Sequence, residues 1–244
     1  MVKLHHGGKL KKLGRAQAAN YSFEDLRRHL SSALANPLSS WHVMKTVLLT
    51  AFEPYDRWRD NASWLALIDL TRELPTEPKL VTRRYPVDFI AARQKLEKDL
   101  EANYDFVLHL GQAPGSGRVR LESIGLNVGG SSQDWPEDFQ PLVAHGPVAY
   151  RSALPLARWA RKLRGAGIPA QVSYHAGTYL CNALLYLTHH IAHQHKLKTK
   201  AAFVHLPLAP VQVLEERSDV PSLPVPLASS AIRLILAELA GEQA

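Results

Sequence analysis

From Met44 onward, short apolar runs of strand length alternate with stretches of helical spacing, and this alternation limits the chain to few architectures. Thr46–Phe52 (TVLLTAF) and Phe106–Leu110 (FVLHL) are continuous apolar runs, as expected of strands covered on both faces. Leu80–Val87, Ala170–Tyr174 and Ala201–Leu206 read as further strands. Val119–Val128 reads as one more, with poor alternation. The spacing predicts helices over Ser63–Glu73, Phe89–Ala102, Tyr150–Arg164, Thr178–His193 and Leu227–Leu239. Strands alternating with helices imply right-handed crossovers and a three-layer α/β/α sandwich around a mainly parallel twisted sheet.

The 244 residues divide unevenly in charge. Residues 1–43 hold seven basic and two acidic side chains, a net +5 of the chain's +7, so the body from Met44 is close to neutral. The basic character thus says little about what the body binds. The head reads as a disordered basic extension, with a short helix near Ser22–Leu34 and Ser22 as its N-cap. Its dispersed charges suit a translated leader better than a nucleic-acid arm, and no apolar run follows the charged start as a secretory signal requires. Residues 44–244 then form a single domain. No apolar run nears the roughly 20 residues that cross a bilayer, so neither membrane nor nucleic acid is an expected partner.

Ligands in such sheets sit beyond the carboxyl ends of the strands. Cys181, the only cysteine, lies just inside a helix start, after Gly177 for a tight turn and Thr178 as a plausible N-cap. A thiol there faces unpaired backbone N–H groups and the positive end of the helix dipole; both favour thiolate. The same groups could hold an oxyanion. The bland alternative is an inert buried cysteine. His205 ends an apolar strand and points toward the ligand side, where an imidazole exchanges protons near neutrality; alone, it reads more simply as a core histidine. Glu122 is an acid among apolar residues that could orient His205, or an exposed edge-strand glutamate. Spacing does not prove that the three meet.

With these residues laid out, the chain resembles the pyroglutamyl peptidase I family, the pyrrolidone-carboxylate cysteine peptidases. The segments stand in family order: Leu-Leu-Thr-Ala-Phe52-Glu-Pro-Tyr55, Gly111-Gln-Ala-Pro-Gly, Leu121-Glu-Ser-Ile-Gly-Leu-Asn, Ala176-Gly-Thr-Tyr-Leu-Cys-Asn182 and Phe203-Val-His-Leu-Pro207, continued by Pro210 and Gln212. The resemblance implies Cys181 as nucleophile, His205 as general acid/base and Glu122 as third member of a triad. It implies Phe52 and Tyr55 as walls for a flat lactam ring, and Gln112 beside the pocket. It also implies a cytoplasmic thiol peptidase that acts on small peptides with an N-terminal pyroglutamate, needs no cofactor or metal, and forms dimers or tetramers. Two other readings remain: a related cysteine amidohydrolase for another cyclic or acyl amide, and a non-enzymatic binding protein with a basic arm.

Ala51 and Asp56-Arg57 replace the family's usual glycines, so the first loop is expected to take another path; Asp tolerates a positive φ better than Arg does. Gly115-Ser-Gly117-Arg118 and His175 also depart from the family pattern. Gly111–Gly117 lacks phosphate-loop order and reads as a pocket loop. Gly129–Gly146 reads as a long surface loop, a lid or an oligomer contact. His189, His193 and His195 near one helix end have no third metal ligand in view, and an exposed, metal-free helix end is expected.

Overall fold

The computed structural model describes residues 44–241 except 132, 217 and 218. The basic head, with the helix expected at Ser22–Leu34, lies outside the described residues. Among the described residues the strands are β1 (Thr46–Phe52), β2 (Lys79–Tyr85), β3 (Phe106–Gln112), β4 (Val119–Glu122), β5 (Ile124–Leu126), β6 (Ala149–Arg151), β7 (Ala170–Ser173) and β8 (Lys200–Leu206). The α-helices among them are α1 (Ala62–Thr71), α2 (Phe89–Leu100), α3 (Leu156–Gly165), α4 (Leu180–Gln194) and α5 (Val225–Ala240).

Six strands form the central sheet in the order β2-β1-β3-β8-β4-β7. Every neighbouring pair is parallel except β8–β4, so β4 and β7 run against the other four. Helices α1, α3 and α5 cover one face, where Val47, Leu49, Leu108 and Val204 meet Leu67, Trp159 and Ile232. Helices α2 and α4 cover the other, over Leu48, Val107 and Phe203. This is the expected α/β/α sandwich with a mostly parallel sheet. Both faces of β1 and β3 are buried, which explains why they read as unbroken apolar runs.

Buried polar groups tie α4 to the sheet. The His109 ring bridges Thr50 Oγ1 at 2.7 Å and Thr188 Oγ1 at 2.8 Å. Burial drops its pKa to about 3, so the imidazole is neutral.

Two elements differ from the sequence reading. Val119–Val128 is not one strand. It turns at Ser123, whose N–H donates to Ser173 O while its carbonyl accepts from Ser152 N. Past Ser123, β5 leaves the main sheet and pairs with β6. The helix expected from Tyr150 begins only at Leu156, because Pro155 sets its N-cap and the preceding residues form β6. Gly129–Gly146 is a loop, as read, closed by one bridge between Gly129 and Gln140 and holding a 3-10 turn at Pro136–Asp138.

Candidate active site

Cys181 is the second residue of α4. The chain enters this helix through Gly177, whose φ of +83° is left-handed backbone that glycine adopts without strain. Thr178 is not the N-cap. That position falls to Tyr179, which caps without a side-chain hydrogen bond, while the Thr178 hydroxyl donates to Gly130 O at 3.3 Å. The hydroxyl is taken by the neighbouring loop, so the first-turn N–H groups keep no side-chain acceptor. Asn182 then pins the helix start. Fully buried, it accepts from Leu126 N and donates to the carbonyls of Leu126 and Val128, all within 2.9 Å.

Gly111, on β3, makes room for the thiol. A Cβ there would lie 2.7 Å from the Phe203 ring and 3.2 Å from Cys181 Sγ. Across β3, in register with Gly111, stands His205 on β8. His205 Nδ1 lies 2.8 Å from Oε1 of Glu122, and both side chains are buried. The same ring lines one cavity with Cys181, whose charge acts on it. Glu122 reaches His205 from the side, not from a strand end. Because β4 runs against β8, Glu122 sits across from Phe203, two residues below the histidine. Phe203 packs under the imidazole with ring centroids 4.7 Å apart.

Burial by itself would discharge the His205 ring; the Cys181 sulfur and the Glu122 carboxylate outweigh it, and the pKa is pushed up to about 9. The ring therefore holds its proton at neutral pH.

A cavity of about 780 Å³ opens over Cys181 and His205. Phe52, Tyr55, Asp56, Asn61 and Gln112 line one side, and Gly130, Ser131, Gln133 and Phe139 of the long loop line another. Gln112 is held by two donors to its Oε1, Ala62 N and Gln212 Nε2, each at 3.0 Å. Its buried Nε2 has no hydrogen-bond partner among the described residues. It lies at the cavity wall beside the Tyr55 hydroxyl, on which Gln112 acts as a donor. Burial, and then the charge at Cys181, push the Tyr55 hydroxyl up to about 12, so it stays a neutral phenol. Asp56 takes φ +56° and Arg57 does not take a positive φ. Arg57 instead lies 4.6 Å over Trp58 and 3.2 Å from Glu216.

The family model described as pyroglutamyl peptidase matches residues 45–242. A pyrrolidone-carboxylate peptidase of Pectobacterium atrosepticum is 34% identical over 206 residues, covering 82% of this chain and 95% of that protein. One from Bacillus cytotoxicus is 34% identical, covering 79% of this chain and 92% of the relative. This chain belongs to the pyroglutamyl peptidase family. The crystal structure of the pyrrolidone carboxyl peptidase of Fervidobacterium islandicum superposes with a TM-score of 0.75 at 33% identity, covering 81% of this chain and 99% of that one. That of Thermococcus litoralis gives 0.73 at 30% identity, with 81% and 93% covered.

Five of the six residues singled out from the pyroglutamyl peptidase motifs line one cavity, and the sixth, Glu122, stands behind His205. Three neighbours escaped the sequence reading. Asn61 lines the cavity and N-caps α1 through its side chain. Arg120 lies 3.3 Å from Glu122 Oε1. Tyr179 lines the wall and meets Phe89 edge to face. Only Asn61 left a signal, as an N-cap residue type before a helical stretch.

The histidine-bearing end of α4 is exposed at His193 and His195, as expected, but His189 is half-buried. His190 is buried and its Nδ1 lies 3.1 Å from Tyr150 Oη; His189 stacks on Tyr150. The cause is β6, which folds over this end of α4. Burial lowers His189 to about 4. Among the described residues no three His, Cys, Asp or Glu side chains are grouped as metal ligands, and no helix is long and apolar enough to cross a membrane.

Proposed function

We propose that Cys181, His205 and Glu122 are the nucleophile, the acid/base and the orienting acid of a cysteine peptidase that removes N-terminal pyroglutamate from peptides. One observation carries the assignment: a single buried imidazole lies 2.8 Å from the Glu122 carboxylate and lines one cavity with Cys181, whose charge helps hold its proton.

The thiolate attacks the carbonyl carbon that joins the pyroglutamyl ring to the peptide, forming a C–S bond. The oxyanion is met by the N–H groups of the first turn of α4. His205 gives its proton to the departing amine as the C–N bond breaks. Water then attacks the thioester with His205 as base, releasing 5-oxoproline and restoring the thiolate. Phe52 and Tyr55 offer ring faces to the flat lactam, and Gln112 Nε2 offers a donor to its oxygen. The lactam carries no N-terminal charge, which suits this mainly apolar cavity. A free catalytic thiol suits a reducing compartment, and we place the protein in the cytoplasm.

Hydrolysis of a pyroglutamyl-linked chromophore by the wild type and by Cys181→Ala tests the proposal. The wild type is expected to turn over and the variant, still folded, to fall by at least about 1000-fold. Full activity in the variant removes Cys181 from the reaction.

A further inference from the structure

We infer that Arg120 is a positioning residue of this reaction: its guanidinium joins the acid behind His205 to the turn that delivers the nucleophile. The inference rests on the peptidase reading above. Because β4 runs against β8, Arg120 stands directly across from His205 and Glu122 across from Phe203. Side chains two apart on a strand share a face, so Arg120 and Glu122 both lie on the His205 side of the sheet.

The guanidinium then makes contacts in two directions. Its Nε lies 3.3 Å from Glu122 Oε1, the same oxygen that meets His205 Nδ1. Its Nη2 donates to Ser173 Oγ at 2.9 Å and to the carbonyl of His175 at 3.0 Å. Ser173 ends β7, and His175 opens the turn that runs through Gly177 into Cys181. In that turn Gly177 N donates to His175 Nδ1 at 3.0 Å, so the carbonyl that Arg120 holds belongs to an ordered segment. One planar cation with donors in a fixed fork spans both.

Charge points the same way. Glu122 is fully buried, and a buried carboxylate persists only with countercharge nearby. Arg120 and the His205 ring supply it from two sides. Neither Arg120 Nε nor Glu122 Oε2 has a hydrogen-bond partner among the described residues. The Arg120–Glu122 contact is therefore one of charge, and the hydrogen bonds of the guanidinium go to the turn. Arg120 does not line the cavity, so it acts through Glu122 and the 175–181 turn and not on substrate.

The test compares wild type, Arg120→Gln and Arg120→Lys by steady-state hydrolysis of a pyroglutamyl amide, by the rate of iodoacetamide alkylation of Cys181 near neutral pH, and by thermal unfolding. Gln is expected to lower kcat about tenfold or more, since small misplacement of reacting groups is costly. KM should stay within about twofold, and alkylation should slow in parallel. Lys, which keeps the charge but not the fork, should restore part of both. A wild-type kcat and alkylation rate in folded Arg120→Gln overturns the inference, as does a loss that Lys does not relieve or that falls on KM. Should the wild type hydrolyse no pyroglutamyl amide, the peptidase reading fails, and the alkylation rates still decide the role of Arg120: slowed by Gln and restored by Lys supports it, unchanged refutes it.

Discussion

His205 carries the most consequential property of any single side chain here, because its proton is held against burial by the sulfur and carboxylate beside it. Its folded pKa of about 9 lies above the ordinary value of 6.5. The stability it contributes is therefore fully present below about pH 6.5 and is lost as pH rises through 9. Removing the sulfur in Cys181→Ala takes away two of the causes, so the ring should titrate at a clearly lower pH, as an imidazole NMR titration would show. An unchanged titration would mean that Cys181 does not face the ring. Asp56 poses a second question at this scale. At φ +56° a short polar side chain is tolerated and a Cβ without hydrogen-bonding atoms is strained. Asp56→Ala should cost about 1 kcal/mol in urea unfolding and Asp56→Gly much less; equal costs would show that the backbone angle is not what matters there. The loop thus holds one left-handed residue of the Asp56-Arg57 pair, and it falls on the residue type better able to accept it.

Among the elements, the junction of β5 with α4 decides where the nucleophile stands. Asn182 satisfies one N–H and two carbonyls of the 126–128 backbone, and Gly125 lets that strand approach: a Cβ there would lie 2.7 Å from Tyr186 N. Asn182→Ala would take a partner from Leu126 N and Val128 O, while Leu126 O keeps Val128 N as its donor, at about 2 kcal/mol in all, read as a lower denaturation midpoint with a lower kcat. A midpoint like that of the wild type would show the clamp to be dispensable. This junction is also where the sequence was least legible. Apolar runs such as TVLLTAF declare buried strands because both faces are covered, and most element positions follow from them. Nothing in Val119–Val128 announces that the chain turns at Ser123, since the turn is fixed by hydrogen bonds to Ser173 and Ser152, residues distant in sequence. The reversal of β4 is equally silent, and it sets which residues of β4 face His205. Hence Glu122 could be named from its motif, whereas Arg120, two residues earlier, showed its place only once β4 was paired with β8.

For the whole molecule, the two-sided sandwich brings residues from β1, β3, α4 and β8 to one cavity, although they span positions 52 to 205. The order of motifs along the chain carried the family, and the comparisons agree over residues 45–242. It did not carry the depth of the His205–Glu122 pair or the burial of the histidines under β6, which are products of packing. The central claim is that the scissile acyl group passes through the sulfur of Cys181. Its most direct test is mass spectrometry of protein quenched during turnover of a pyroglutamyl ester. A pyroglutamyl thioester on the Cys181-containing peptide, lost on treatment with hydroxylamine, is the predicted result; sustained turnover with an unmodified Cys181, persisting in Cys181→Ala, would contradict it.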